Sequence, residues 1–261
     1  MPGRIGARKA GAVGWVEFDN PDRFNAIDLA MWKALPVAME AFDADPEVRV
    51  IAVTGAGSKA FTTGADISEF AAHRDSETQR EDYNATADAS RRVFKTTAKP
   101  TVAVIRGYCL GGGIALALDC DFRIAAADAR FGVTIAKLGA AYRVDDLRSL
   151  IAAVGPASAR EILMTGSTFT GEEARALGLA TKVAAPEELD AFAGAFIDRL
   201  AGNAPLSMAA TKRTIAELMK PPGEQDFAAA EAAIEKCLTS ADATEGRDAF
   251  MQKRKPVFGG A

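Results

Sequence analysis

The sequence predicts an α/β fold with a parallel sheet, and three observations carry that reading. Short apolar, β-branched runs at Val48–Thr54, Thr101–Ile105 and Phe122–Ala125 are each followed by a segment with helical spacing, the pattern of βαβ units. Two of these runs lead into turns of small residues, around Thr63-Gly64-Ala65 and Gly111-Gly112-Gly113. From about Pro186 onward the strand signals stop and only helical spacing remains.

The elements follow in order. Val13 to Phe18 alternates apolar and polar residues, as a half-buried strand does. Asp28 is placed to cap a helix running through Phe42, in which Pro36 is a local flaw. After the Val48–Thr54 strand, Asp66 is placed to favour a helix start. The stretch Ala71 to Asn84, which holds the only histidine, His73, is polar and weakly patterned and reads as a lid over a site. Asp145 and Asp146 precede the apolar-periodic segment Leu147–Val154, where capping is one role for them and acid–base work another. Helices follow at roughly 186–202, 205–219, 224–238 and 241–252, punctuated by Pro205, Pro221 and Pro222. No repeat recurs at a period of 20–50 residues.

Composition narrows the function classes. The 261 residues carry a net charge of −4 with both signs interspersed, which favours neither nucleic acid nor a membrane surface as partner. Three cysteines, Cys109, Cys120 and Cys237, lack metal-ligand spacing and read as reduced thiols of a cytoplasmic protein. There is no secretory h-region and no run of eighteen apolar residues. No metal or redox cofactor is implied, because no His/Cys/Asp cluster has ligand spacing.

The two glycine turns carry the chemistry. A strand that enters a glycine-rich turn and then a helix points unpaired N–H groups at one spot, and the helix dipole adds positive charge there. Such a spot holds a phosphate or a developing oxyanion. Two turns of this kind can aim two donors at one carbonyl oxygen.

On these residues the chain resembles the crotonase superfamily, the enoyl-CoA hydratase/isomerase proteins. The resemblance covers nearly the whole chain. It runs through Asn20-Pro21-Asp22-Arg23-Phe24-Asn25-Ala26, Phe61–Ile67, Gly107–Gly113, Asp119–Ala125 and Ala129-Arg130-Phe131-Gly132. It continues through Leu163–Gly166, Glu172–Leu179 and the tail Lys253-Arg254-Lys255-Pro256-Val257-Phe258. It implies a ββα spiral core over residues 1–195 and a C-terminal helical trimerisation region over 196–261, with homotrimers often paired as hexamers. The Ala-rich faces around Phe227, Ile234 and Leu238 suit helix–helix contact, in a core or between subunits.

The resemblance also implies an acyl-CoA thioester as substrate, so that coenzyme A arrives with the substrate and no separate cofactor is needed. The N–H groups of Ala65 and Gly112 would form the oxyanion hole. Arg23 would meet the CoA phosphates, with Ala26, Thr63, Ala65, Asp66 and Ile67 around the adenine and pantetheine. Lys255 and Phe258 would contact CoA bound to a neighbouring subunit.

One feature departs from the hydratases of the family, which carry one glutamate two positions after the glycine triplet and another four beyond the phenylalanine of Phe-Gly. Here those positions hold Ala115 and Ile135, neither of which moves a proton. The segment Leu138–Arg148 offers other groups. Tyr142 resembles a tyrosine of the methylmalonyl-CoA decarboxylase branch, where it is thought to orient the departing carboxylate; a ring covering the core edge is its other role. At Ala65, however, that branch presents a histidine. Asp145 is a candidate replacement for a missing glutamate. The expectation is an acyl-CoA enzyme that stabilises a thioester enolate, decarboxylase-like or an atypical hydratase/isomerase, with Ala65, Gly112, Tyr142 and Asp145 as candidate catalytic residues. The alternative is an acyl-CoA-binding protein without catalysis.

Overall fold

A computed structural model describes residues 2–66 and 76–260. Two sheets form its frame. The first has six strands in the order β1-β2-β3-β5-β7-β10: β1 (Arg4–Ala10), β2 (Val13–Asp19), β3 (Val50–Gly55), β5 (Thr101–Ile105), β7 (Phe122–Ala126) and β10 (Lys182–Ala184). The hairpin β1–β2 is antiparallel and every other pair in this sheet is parallel. The second has four short strands, β4 (Ala60–Thr62), β6 (Tyr108–Leu110), β8 (Arg130–Gly132) and β9 (Thr168–Thr170), parallel until the antiparallel pair β8–β9.

The chain therefore steps from a strand of the first sheet to one of the second and then into a helix. It does so through β3–β4 before α2 (Glu77–Thr96), through β5–β6 before α3 (Gly112–Asp119), and through β7–β8 before α4 (Val144–Thr165). This is the ββα spiral that the sequence led us to expect. Strands β3 and β5 are buried almost throughout, which is why they read as continuous apolar runs. Phe18 of β2 meets Phe61 of β4 edge to face, with centroids 5.5 Å apart, and joins the cores of the two sheets.

Helix α1 (Leu29–Ala44) starts where expected: Met31 N–H donates to the Asp28 carboxylate at 2.8 Å. It runs unbroken past Pro36, for a reason that lies outside it. Proline has no N–H for the carbonyl four residues back, that of Trp32, and the Ser90 hydroxyl of α2 donates to that carbonyl instead.

The lid expected over Ala71–Asn84 is corrected in part. Residues 67–75, including Ile67 and His73, lie outside the described residues, and Ser76 onward is the start of α2. A Ser76–Gln79 capping box opens that helix, and Tyr83, Ala87, Ser90 and Phe94 form its buried stripe. The segment after Asp145 is also longer than expected: α4 continues to Thr165 across a kink at Gly155, which has φ +74° and is followed by Pro156.

After α5 (Gly171–Leu177), α6 (Leu189–Ala201) packs on β3, β7 and β10 through the buried Leu189, Ala193 and Ile197, so residue 195 falls inside a helix. Helices α7 (Pro205–Leu218), α8 (Phe227–Leu238) and α9 (Ala241–Met251) complete the chain, with α8 lying against both others. Among the described residues no helix is long and apolar enough to cross a membrane.

Candidate active site

Both glycine turns end at the same place. Past β4 the chain turns at Gly64, whose φ is +88°; past β6 it turns at Gly111, with φ +53° and ψ −119°. A Cβ built on Gly64 would lie 2.7 Å from both the amide nitrogen and the Cα of Gly112, so only glycine allows this approach. Behind them Gly113 abuts the Thr62 carbonyl, which a Cβ would meet at 2.2 Å. Ile27 and Ala65 form a bridge in which Ile27 N–H donates to the Gly64 carbonyl at 2.8 Å and Asp66 N–H to the Ile27 carbonyl at 2.9 Å. The two bonds of that bridge use the Gly64 carbonyl and the Asp66 N–H, so the Ala65 N–H is not spent on the Ile27 segment. Among the described residues neither the Ala65 nor the Gly112 N–H has an acceptor. Gly112 begins α3, so its N–H also lies at the positive end of the helix.

The surroundings are apolar where the two proton-transfer groups were sought. Ala115 is buried in α3, and Ile135 opens a short 3-10 turn (Ile135–Leu138), half-buried against the core. Tyr142 lies half-buried beyond that turn, and its hydroxyl donates to the Gly111 carbonyl at 3.2 Å. Burial, followed by the neighbouring Asp146 charge, pushes the phenol well above its usual range and keeps it a donor.

The two aspartates separate. Asp145 is exposed in the first turn of α4, whereas Asp146 is buried and accepts from Arg91 of α2. Neither caps the helix: Arg143 occupies the cap position without a side-chain bond to the helix, and its guanidinium pairs bidentately with Asp88 at 2.6 and 2.7 Å.

Arg91 also donates to Asp119 at 2.6 Å, so it ties the end of α3 and the start of α4 to α2. Burial works against the Arg91 charge, but the two carboxylates outweigh it and hold the guanidinium above its ordinary value. Burial pushes the Asp119 carboxyl up despite Arg91, and its buried Oδ1 has no partner among the described residues. Sequence reading missed this trio, because nothing local links residues 91, 119 and 146.

Around the oxyanion turn, Arg23 closes a short 3-10 turn (Pro21–Arg23) and donates to the buried Asp66 at 2.7 Å. Ala26 is buried, and Thr63 is half-buried beside Gly111. Arg23, Ala26, Thr63, Ala65, Asp66 and Gly112 are thus brought into one neighbourhood. The C-terminal tail is not. Phe258 rests near Gly246 of α9, and its carbonyl accepts from Arg49 at 2.9 Å, at the opposite end of β3 from the turn that leads to Ala65. Lys255 is exposed on the same tail, which Asp242 and Glu245 hold through the N–H groups of Gly259, Gly260 and Val257.

Comparison with known proteins shows the family and the fold. The enoyl-CoA hydratase/isomerase family model matches residues 8–261. A short-chain-enoyl-CoA hydratase of Clostridium acetobutylicum is 30% identical over 247 residues, 95% of this chain and 94% of its own. A crotonyl-CoA hydratase of Syntrophomonas wolfei is 32% identical over 92% of each chain. Among solved structures, an enoyl-CoA hydratase/carnithine racemase of Magnetospirillum magneticum superposes with a TM-score of 0.92 at 36% identity, over 98% of this chain and 96% of that one.

Proposed function

Because this chain belongs to the enoyl-CoA hydratase/isomerase (crotonase) family, we propose that its converging Ala65 and Gly112 N–H groups bind the carbonyl of an acyl-CoA thioester and stabilise the enolate formed from it. The observation that supports this reading is the contact of Gly64 with Gly112, which brings two unused donors from different turns close together. Negative charge that develops on a thioester oxygen there is met by preorganised dipoles, and removing one such donor typically costs about 10²–10³ in kcat.

The apolar Ala115 and Ile135 favour chemistry that needs no pair of carboxylates at those positions. Loss of carbon dioxide from an acyl-CoA that carries a carboxylate on its α-carbon is of this kind, since the electron pair of the broken C–C bond passes to the thioester enolate and one proton on the α-carbon finishes the reaction. The hydratase names of the relatives favour a second reading, hydration or isomerisation, with exposed Asp145 as the group to test. For the CoA end, Arg23, Ala26, Thr63, Asp66 and Ile67 are the proposed contacts, with Lys255 and Phe258 reaching a neighbouring subunit. Phe227, Leu238, Phe250 and Met251 are exposed apolar side chains on α8 and α9, which supports a homotrimer or hexamer built through the C-terminal helices.

The test is incubation with a panel of acyl-CoA thioesters in deuterated water, read by mass spectrometry and by melting temperature. Binding raises the melting temperature. Deuterium at the α-carbon, alone or with loss of carbon dioxide or gain of water, identifies the reaction. Binding without any mass change identifies a non-catalytic acyl-CoA-binding protein, and no binding at saturating thioester overturns the proposal.

A further inference from the structure

We infer that Tyr142 is a positioning residue that orients and polarises the Gly111–Gly112 peptide, so that one side-chain hydroxyl sets the strength of the oxyanion donor at Gly112. The inference rests on the oxyanion-hole reading above and adds a residue to it.

The argument begins with the amide itself. The carbonyl of Gly111 and the N–H of Gly112 belong to one planar peptide unit and point in opposite directions. Whatever holds the oxygen therefore aims the N–H. At Gly111 the backbone has φ +53° and ψ −119°, a conformation open to glycine and strained for other residues, so the backbone's own preferences do little to fix this plane. Two hydrogen bonds to the Gly111 carbonyl fix it instead, from Ile114 N–H and from the Tyr142 hydroxyl, each at 3.2 Å, while the preceding peptide is held by Gly111 N–H donating to the Gly132 carbonyl at 2.8 Å.

The tyrosine contact alone of these comes from a side chain and from a distant segment. A donor on an amide oxygen draws electron density from the nitrogen and strengthens the N–H as a donor in turn. The segment that presents Tyr142 is pinned on its C-terminal side, by Arg143 on Asp88 and by Asp146 on Arg91. Arg91 in turn grips Asp119 at the far end of α3, the helix that Gly112 begins. Tyr142 is thus held against α3 through both ends of that helix. Because its proton is directed at Gly111, the lone pairs of the hydroxyl are the part left for a ligand.

The test uses the intact protein and a chromophoric thioester, dimethylaminocinnamoyl-CoA, whose absorbance shifts to the red when its carbonyl is polarised. Wild type is expected to bind the probe with a red shift. Tyr142→Phe is expected to bind it with an affinity within about twofold and a smaller shift. Its kcat on the substrate found by the panel falls by about 2- to 12-fold at unchanged KM, the range that one hydrogen bond of ordinary net strength supplies. Tyr142→3-fluorotyrosine, a more acidic phenol and a stronger donor, enlarges the shift, which a purely space-filling role would not do. A shift in Tyr142→Phe equal to that of wild type overturns the inference while leaving the oxyanion hole standing. A wild-type protein that binds the probe without a red shift removes the oxyanion reading, and this inference falls with it.

Discussion

The contact between Gly64 and Gly112 supplies a test with an internal control. A Cβ on Gly64 stands 2.7 Å from Gly112 N and Cα, where ordinary contact begins at 3.4 Å, so Gly64→Ala must part the turns by about 0.7 Å. Both neighbouring atoms are backbone, so no side chain can yield. A donor held within the narrow window of a useful oxyanion contact is displaced by that movement, and the expected loss of turnover is about 10²–10³-fold. Alanine at φ +88° carries a second cost, about 1–2 kcal/mol of stability. Gly57→Ala isolates that second cost, since Gly57 has φ +71° and nothing within 4 Å of a built Cβ. Urea denaturation of both variants, followed by turnover and the thioester red shift, separates the effects. Both variants lose stability through φ, but only Gly64→Ala loses the red shift and turnover. A Gly64→Ala protein with native turnover and red shift would refute the convergence of the two turns as the source of chemistry.

Other expectations follow from contacts that join distant segments. Arg91→Leu leaves Asp119 and Asp146 buried without their cation and is expected to destabilise by about 3–5 kcal/mol in urea denaturation; a cost below about 1 kcal/mol would show that water already serves both carboxylates. Ser90→Ala orphans the Trp32 carbonyl at about 1–3 kcal/mol in the native sequence, but costs less in a Pro36→Ala background, where the N–H of residue 36 returns to that carbonyl; equal costs in both would break the link. The Glu245 carboxyl is held down at about 2, first by the Arg254 guanidinium and then by the Val257 N–H. A depressed carboxylate stabilises the folded tail above its unfolded value and loses that contribution as pH falls towards 2. The melting-temperature gap between wild type and Glu245→Gln should therefore be full near neutrality and close on acidification, and salt should narrow it because the pair is exposed; a gap independent of pH would contradict this.

Local signals reported the frame well. The runs that became β3 and β5 are buried on both faces, and burial on both faces is what a continuous apolar run records. Asp28 capped its helix as read, because an N-cap bond spans only three residues. Three-residue strands such as β4, β6, β8 and β9 were not separable from turns, since their pairing partners lie far along the chain. The polar start of α2 looked unstructured for a similar reason: its order depends on a capping box and on Tyr83, whose hydroxyl meets Trp32 Nε1 of α1 at 2.9 Å.

At the site the division is sharper. Residue type alone determined that Gly64, Gly111 and Gly112 permit a close approach of backbones and that Ala115 and Ile135 carry no proton, since these are properties of single side chains or of their absence. Tertiary structure alone decided that Gly64 touches Gly112, that the Tyr142 hydroxyl points at Gly111, and that Asp146 is buried on Arg91 while Asp145 stays in solvent. Adjacent aspartates on a helix differ by about 100° in direction, and sequence does not record which direction faces another element. Hydrogen bonds and burial act over a few ångströms of space, whereas the groups that Arg91 joins here are separated by 28 and 55 positions of chain.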